Sequence, residues 1–529
     1  MLSERASLQR LHELLQSPAY SRITRLAQHR RVEVYVVGGA VRDCLLGRPV
    51  TDVDFVVRGA ELAELERWLK RIGRTILVGK RFGVFKVQMA PGEAPIDVAL
   101  PRRDHALGRG GYHDVAVQTD PMLPIEDDLA RRDFTVNALA YNVATGKIID
   151  AHNGRTDLQA RLVRAVGTPE SRFAEDYSRV LRALRFAIEL DFSIEPMTLG
   201  AMQLAAHRVG GTDSSGPLVP GTLIGKELGR AFAADGVRAF LMLQETRLLP
   251  VVLPEVAALK GIEQYKVFHP EGDALVHTGE ALERLYADTS RERPSLTDVL
   301  TVLLHDVGKA TRVQIKDLAT GKRREIAKPH DYFKSAEYDP KRQRVMNIGH
   351  SEASVAIARK ICKRWSLNQF ARPPFNFDQA ELEHNIEFHL LQNIGEMRPS
   401  KAERILFYPN GRVRWSLLRL VRADAGDRIV ASGAGSRRTR YQTALDRIHQ
   451  LLGQKISGVA HPESQSKLAP VLITGADLIE LGAEPGPRFA AILAAIRDAQ
   501  LAGRISDQAA ARKLAKDFLR NIALSKRAN

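Results

Sequence analysis

Val36-Val37-Gly38-Gly39-Ala40-Val41-Arg42-Asp43, followed at a short distance by Asp52-Val53-Asp54, is the stretch on which the reading of this chain turns. A strand expected over 52–57 places Asp52 and Asp54 on one face, because strand side chains alternate with period two. Two carboxylates side by side repel each other, and a hard divalent cation such as Mg²⁺ relieves that repulsion. The preceding glycines let the backbone come close and offer N–H groups to phosphate oxygens, and Arg42 adds a charged fork. Together these features point to nucleotidyl transfer. A solvated acidic turn beside a Gly-Gly loop explains either half, but not both in this order.

Composition bounds the rest. A chain of 529 residues should hold several domains, each with its own core. Hydrophobic content of 44% and charged content of 26% are ordinary for a globular protein. The net charge of +16 is not, and it favours a polyanionic partner, with RNA fitting the motifs best. Charge alone decides nothing, since basic globular proteins are common. Cys44 and Cys362 offer neither a disulfide framework nor a thiolate zinc site, which suits a reducing compartment. Residues 1–20 mix charged and apolar types without a signal-peptide core, and no apolar run approaches the ~18 residues of a membrane span. The expectation is a soluble cytoplasmic protein with no membrane partner.

Residues 1–30 read as N-terminal helices. From 31 to 160 short β-rich runs at 32–37, 52–57, 84–89 and Ile96–Ala99 alternate with a helix over 60–71, an α/β pattern. Beyond Leu158 the pattern turns helical. Residues 174–190 repeat apolar positions at helical spacing, and Arg179, Arg182 and Arg185 fall three apart on one ridge. Further helical regions run over 256–430 and 431–529, the last opening on a glycine- and serine-containing stretch at 431–436. There are no internal repeats. The fold expected is an α/β head followed by a mostly α-helical body.

Five motifs occur in order: Gly38 to Asp43, Asp52 to Asp54, Arg131-Arg132-Asp133-Phe134-Thr135-Val136-Asn137-Ala138-Leu139, Asp150 to Leu158 (DAHNGRTDL), and Glu175-Asp176-Tyr177-Ser178-Arg179 running into Arg182 and Arg185. In this order the chain resembles the class II tRNA nucleotidyltransferases, the CCA-adding enzymes, and their relatives the bacterial poly(A) polymerases. The resemblance implies a polymerase-β-type mixed sheet in the head, then a nucleotide-selecting neck and RNA-binding body over 161–255. It implies that Asp52 and Asp54 are catalytic and hold Mg²⁺, and that Gly39 and Arg42 contact the triphosphate. Arg132, Asp133 and Asn137 then form the ribose and phosphate wall. Asp176 and Arg179, a carboxylate acceptor and a planar donor fork one helical turn apart, can hydrogen-bond a Watson–Crick edge and would select C and A without a template. Arg182 and Arg185 would support that site. Read locally, the same pairs are ordinary ion pairs on helices. Asp97, on a later strand, reads equally as an assisting carboxylate or a solvent-facing one.

The activity so implied is template-independent addition of CCA to the tRNA 3′ end from CTP and ATP, with release of pyrophosphate. An A-adding enzyme and a poly(A) polymerase are the alternative enzymes, and a non-catalytic RNA-binding protein is the alternative from another class. Leu77 to Phe82 is similar to a poly(A) polymerase signature, but Lys86 stands where that signature has histidine. The segment between Asp97 and Glu126, with Arg102, Arg103, Gly108, Gly110 and Gly111, is long enough for the loop that switches C to A, which disfavours a CC-only enzyme.

A second pattern lies in 256–430. His277, His305-Asp306 within Leu-Leu-His-Asp-Val-Gly-Lys, and His350 resemble the HD phosphohydrolase domain, which implies a second divalent metal. His389 would complete a two-metal version. Leu390 follows His389 where an aspartate is expected, and Asp424 is the candidate to replace it from a neighbouring helix. The Lys- and Arg-rich insert 311–346 interrupts the usual spacing, so an active site and a structural relic are both open readings. The basic helical tail from 431 to 529, with the turn Pro485-Gly486-Pro487, is the expected tRNA contact. Protein partners are not specified by any motif.

Overall fold

The computed structural model describes residues 4–29, 31–78, 83–106, 108, 110–111, 115–214, 216–265, 269, 271–288, 292–391, 393–425, 430–431, 437–452 and 468–527. It divides into two compact units, Met1–Pro254 with Arg364–Leu367, and Glu255–Lys363 with Asn368–Asn529.

In the first unit the strands run β1 (Glu33–Val37), β2 (Asp54–Arg58), β3 (Arg74–Val78), β4 (Val84–Gln88), β5 (Ile96–Ala99), β6 (Arg102–Ala106), β7 (Val115–Thr119), β8 (Ala140–Asn142) and β9 (Ile148–Ile149). Seven form one mixed sheet in the order β3-β4-β5-β2-β1-β8-β9, in which β2 and β5 alone are parallel. β1 reads Glu-Val-Tyr-Val-Val, a β-branched and aromatic run buried on both faces, and so takes an interior place. Its register pairs Val37 with Asp54 on one side and Ala140 on the other. The edge of the sheet where β1 ends is therefore also where β2 begins. There the chain turns through Gly38, at φ 73°, into the helix Gly39–Leu45. A side chain at Gly38 would be strained in that conformation and would meet Arg132 Nη1 at 2.9 Å.

Several local expectations change. β2 starts at Asp54, so Asp52 precedes the strand, and Val53 is buried between two exposed carboxylates. β3 falls where no strand is expected, because as an edge strand it leaves Ile76 and Val78 exposed and lacks an inward-facing pattern of its own. The long segment after Asp97 carries the hairpin β6–β7, in register from Arg102↔Thr119 to Ala106↔Val115. Residues 79–82 of the Leu77–Phe82 signature lie outside the described residues, as do 432–436 of the glycine- and serine-containing stretch.

The helix expected over 174–190 is two helices, Pro169–Glu175 and Ser178–Leu190, with Asp176 extended between them at φ −160°. The cause is local. Asp176 Oδ1 accepts the N–H of Ser178 at 2.9 Å, a side-chain bond that competes with the helical ladder.

The second unit is mainly helical. The helices Ala274–Ala287, Leu296–Leu304, Gln379–Phe388 and Trp415–Ala425 pack on one another, with Leu296–Leu304 buried along its whole length and started by a Ser295/Asp298 capping box. The insert 311–346 folds on itself. Strands Val313–Asp317, Arg323–Ile326 and Gln343–Met346 form a sheet over Val313, Ile315, Tyr332 and Val345. At the C-terminal end the helices Gly475–Glu480, Pro487–Leu501 and Gln508–Arg527 share a small core, and Gly486 caps Pro487–Leu501. No helix among the described residues is long and apolar enough to cross a membrane.

Candidate active site

The motifs that are far apart in sequence meet in one open cavity of the first unit, about 700 Å³ in volume. Gly38, Gly39, Arg42, Asp54, Arg132, Asp133, Asn137, Asp176, Arg179, Arg182 and Arg185 all line it. Nine cationic side chains (eight arginines and Lys86) face four carboxylates, so the wall suits a polyanion such as a triphosphate. Arg230 and Phe186 line it as well, and sequence reading missed both. Phe186 falls in the apolar face of its helix and looks like core. In the structure its ring supports the guanidinium groups of Arg185 at 4.0 Å, Arg42 at 5.3 Å and Arg182 at 5.5 Å.

The arginines are held rather than dangling. Arg42 forks onto Asp43 with Nε and Nη2, both at 2.9 Å, and gives Nη1 to Asn137 Oδ1 at 2.6 Å. Its fork is thus spent within the protein, and what it offers the cavity is charge. Arg131 and Arg132 share the fully buried Asp128, at 2.8 and 3.2 Å, so this is no surface ion pair. Asp133 accepts from Arg182 Nε at 2.8 Å and Nη2 at 2.6 Å, and from the N–H of Phe134 at 2.8 Å. Burial opposes its ionisation, but the Arg182 charge and these bonds prevail and bring its pKa down to about 2. The three-apart arginines diverge: Arg185 is buried against Glu227 at 2.5 Å and Glu189 at 2.6 Å, while Arg179 gives Nη1 to Glu175 at 2.5 Å and to the Arg172 carbonyl at 3.0 Å.

Asp176 and Arg179 do not bridge each other along a helix, since Asp176 stands outside it. Both nevertheless face the cavity. Desolvation raises the Asp176 carboxyl, against the bonds from Ser178 and the charges of Arg179 and Arg182.

Asp54 lies across from them. Partial desolvation and the charges of Asp97 and Asp52 push its carboxyl above the ordinary range, while Arg132 and Lys86 pull it back. Asp97 also lines the cavity and is bridged by Lys86 at 2.8 Å. Asp52 is not among the residues lining the cavity, although its charge acts on Asp54; the oxygen-only donors of Asp54 and Asp97 at the cavity fit a hard cation. They are no compact ligand cage, however: among the described residues, the groups of potential ligand atoms within 4.8 Å of one another all lie in the second unit.

The motif DAHNGRTDL takes no part in the cavity. Asp150 caps the helix Gly154–Ala160 through the N–H groups of Gly154 and Arg155, and Asp157 accepts the Thr135 hydroxyl at 2.7 Å. A Cβ at Gly154 would collide with the Thr135 carbonyl at 2.2 Å. The motif's work is to clamp Thr135, two residues before Asn137.

In the second unit the histidines converge. His277, His305, Asp306, His350, His389 and Asp424 are all buried. Each histidine sets its Nδ1 against an oxygen: Glu271 for His277, and the carbonyls of Val302, Asn347 and Ile386 for His305, His350 and His389. Every Nε2 is thereby turned inward, where the neutral imidazole would present a lone pair. Asp306 Oδ2 lies 3.3 Å from His305 and 3.8 Å from His277, and Oδ1 lies 3.2 Å from His350 and 3.9 Å from His389. Asp424 Oδ1 is 3.0 Å from His277 and 3.7 Å from His305. The carboxylate missing after His389 in sequence is thus present in space. Insert 311–346 leaves the cluster intact, because it departs after Lys309 and returns before His350. Lys309 Nζ binds Asp306 at 2.5 Å and Gln264 at 2.6 Å. His305 Nε2 and Asp306 Oδ1 are buried without a hydrogen bond of proper geometry, and His350 and His389 oppose their Nε2 atoms at 3.2 Å. The convergence of these imidazoles with Asp306 and Asp424 is a donor set that fits a divalent metal. Burial first, then the proximity of His350 and His305, brings the His389 pKa down to about 3 and keeps it neutral. Against desolvation, the Asp306 and Asp424 carboxylates raise His305 to about 10, so a metal there would have to displace its proton.

The mixed sheet with its cationic cavity defines the class: the family of the poly A polymerase head domain matches residues 34–164. Relatives resemble more of the chain. The multifunctional CCA protein of Xanthomonas oryzae pv. oryzae is 41% identical over 286 residues, 53% of this chain and 64% of that protein. That of an Acidovorax species is 36% identical over 339 residues, 63% of this chain and 68% of its own. The chain belongs to the family of the multifunctional CCA proteins. It spans about 64% of the length of the Xanthomonas relative. Among solved structures, the Thermotoga maritima CCA-adding enzyme complexed with tRNA superposes with TM-score 0.53 at 20% identity, covering 94% of each chain. The Bacillus stearothermophilus CCA-adding enzyme in complex with CTP gives 0.51 at 22%, covering 96% of this chain and 98% of that one. At these identities the likeness is one of fold.

Proposed function

We propose that this chain adds CCA to the 3′ end of tRNA from CTP and ATP, releasing pyrophosphate. The observation that carries the reading is the single cavity in which Asp54, the Gly38-Gly39 turn, the arginine wall and the pair Asp176/Arg179 meet. Relatives named multifunctional CCA proteins, and fold neighbours solved in complex with tRNA and with CTP, support it. The family implies a divalent metal, and we assign Mg²⁺ to Asp52 and Asp54, with Asp97 beside them. When bound, Mg²⁺ would polarise the α-phosphate and favour ionisation of the attacking 3′-hydroxyl.

The chain's own residues do the rest. Gly38 and Gly39 let the triphosphate approach the backbone, and Arg132 and Arg182 neutralise it. Asp133 and Asn137 fix those cations and close the ribose side. Asp176 accepts from, and Arg179 donates to, the edge of the incoming base, with Glu175 holding the guanidinium at its place. A cytoplasmic location accords with this work.

The test is incubation of the purified protein with tRNA lacking CCA, with CTP and ATP separately and together, products resolved to one nucleotide. Two residues added with CTP and a third with ATP are expected. ATP-only addition to tRNA ending in CC would make it an A-adding enzyme, a long ATP ladder a poly(A) polymerase, and no incorporation at all an RNA-binding protein.

A specific observation supports a second activity. The inward Nε2 atoms and the two-sided Asp306 carboxylate form donor sets for two divalent ions, His277, His305, Asp306 and Asp424 on one side and Asp306, His350 and His389 on the other. We read this as a metal-dependent phosphohydrolase centre. Metal analysis of the purified protein should find more than one equivalent of tightly held transition metal, lost together with phosphoester hydrolysis on chelation. Metal-free protein that takes up none would make the cluster a relic.

A further inference from the structure

The insert 311–346 carries a pattern that its own folding does not require. In its three-stranded sheet the register pairs Lys316 with Arg323 on one side and with Arg344 on the other. Three cations therefore stand in one row across the sheet, on the face opposite the core of Val313, Ile315 and Val345. Like charges directly opposite destabilise a sheet. Two of the insert's acids are engaged elsewhere, Glu325 with Arg312 at 3.4 Å and Glu337 with Arg324 at 2.9 Å. Lys316 and Arg323 have no ion-pair partner among the described residues.

The row also has a direction. Arg344, at its end, lies over the ring of Tyr265 at 4.8 Å. The next residue back, Gln264, receives the ammonium of Lys309, which is bound to Asp306 at 2.5 Å. The row of cations thus leads to an aromatic ring and on to the histidine cluster.

We infer that the outer face of this sheet, through Lys316, Arg323 and Arg344, docks a single polynucleotide strand by its phosphates. Cations spaced along neighbouring strands, ending on a cation-stacked aromatic, match a backbone of repeating phosphates with bases free to stack. A free nucleotide would not need three such positions. The substrate class of the cluster is then a nucleic-acid end rather than a mononucleotide, a consequence that rests on the hydrolase reading above.

The test uses the full chain, a fluorescent 12-nucleotide single-stranded RNA, and two variants of equal charge change. K316A/R323A removes two members of the row; K322A/K341A removes two exposed lysines of the same insert that lie in its turns. Loss of the row should weaken binding roughly tenfold at low salt and make the salt dependence of log K shallower by about 1.4. The turn variant should keep both. Equal losses in the two variants would reduce the effect to bulk charge and overturn the proposal. No loss in either would also overturn it and leave the row to an acidic protein surface. Hydrolysis adds a separate arm: K316A/R323A should raise KM for the RNA while turnover of bis(4-nitrophenyl) phosphate stays unchanged. A wild-type chain that cleaves neither substrate would defeat the hydrolase reading while leaving the binding comparison intact.

Discussion

The two candidate metal clusters of this molecule are built in opposite ways. In the first unit the carboxylates Asp52 and Asp54 are exposed, and Asp54 faces a cavity walled mainly by arginine. In the second unit six donors are buried within bonding reach of one another, four of them imidazoles with their outer nitrogens already committed. An open oxygen site holds a hard ion weakly and waits for substrate phosphates to complete the shell. A closed nitrogen-rich site holds a borderline or softer ion by itself. The contrast teaches that, on the proposed reading, the nucleotide would be part of the metal site in the head, whereas in the cluster the protein would be nearly all of it.

The largest effect that tests this contrast is Asp54→Ala. We expect nucleotide incorporation to fall by at least about 10³-fold, with RNA binding retained and the metal content of the second unit unchanged. Normal incorporation would remove Asp54 from the chemistry. The mirror variant, His305→Ala, should abolish tight metal retention and hydrolysis while CCA addition proceeds at its usual rate; a loss of both activities would show that the two sites are not independent.

A smaller effect is expected where geometry selects the base. Arg179→Ala should blur the choice between CTP and ATP by roughly tenfold, since a well-placed polar pair is worth about 1–3 kcal/mol of discrimination. Unchanged selectivity would assign Arg179 to its bond with Glu175 alone.

The smallest concerns stability. Asp133 has a folded-state pKa of about 2, below its unfolded value, so its pairing with Arg182 stabilises fully above the unfolded carboxylate range. That contribution should fade as pH falls through about 4 towards 2. Asp133→Asn should therefore be less stable than the parent at neutral pH and should lose the difference in acid. A difference that persists at pH 2 would count against the ion pair.

The readable parts of the sequence were those whose chemistry is local. The Gly38-Gly39 turn, the alternation around Val53 and the helical spacing from Ser178 to Leu190 all follow from neighbouring residues. β3 was not legible because an edge strand needs no inward pattern, and β6 (Arg-Arg-Asp-His-Ala) because its order comes from its partner. The break at Asp176 was hidden by helical periodicity on both sides of it. Phe186 looked like core until three guanidinium groups came to rest around it.

By itself the sequence determined the class of chemistry: glycines before a D-x-D, ordered arginine motifs, and an HD pair with its histidines. These are choices of residue type, and type sets charge, donor atoms and backbone freedom. Tertiary structure alone decided which donors meet. It spent the fork of Arg42 on Asp43, turned DAHNGRTDL into a clamp on Thr135, and brought Asp424 to His277 across 147 positions. Pairing at such separations depends on how helices and strands pack, and packing is a property of the whole chain rather than of any segment.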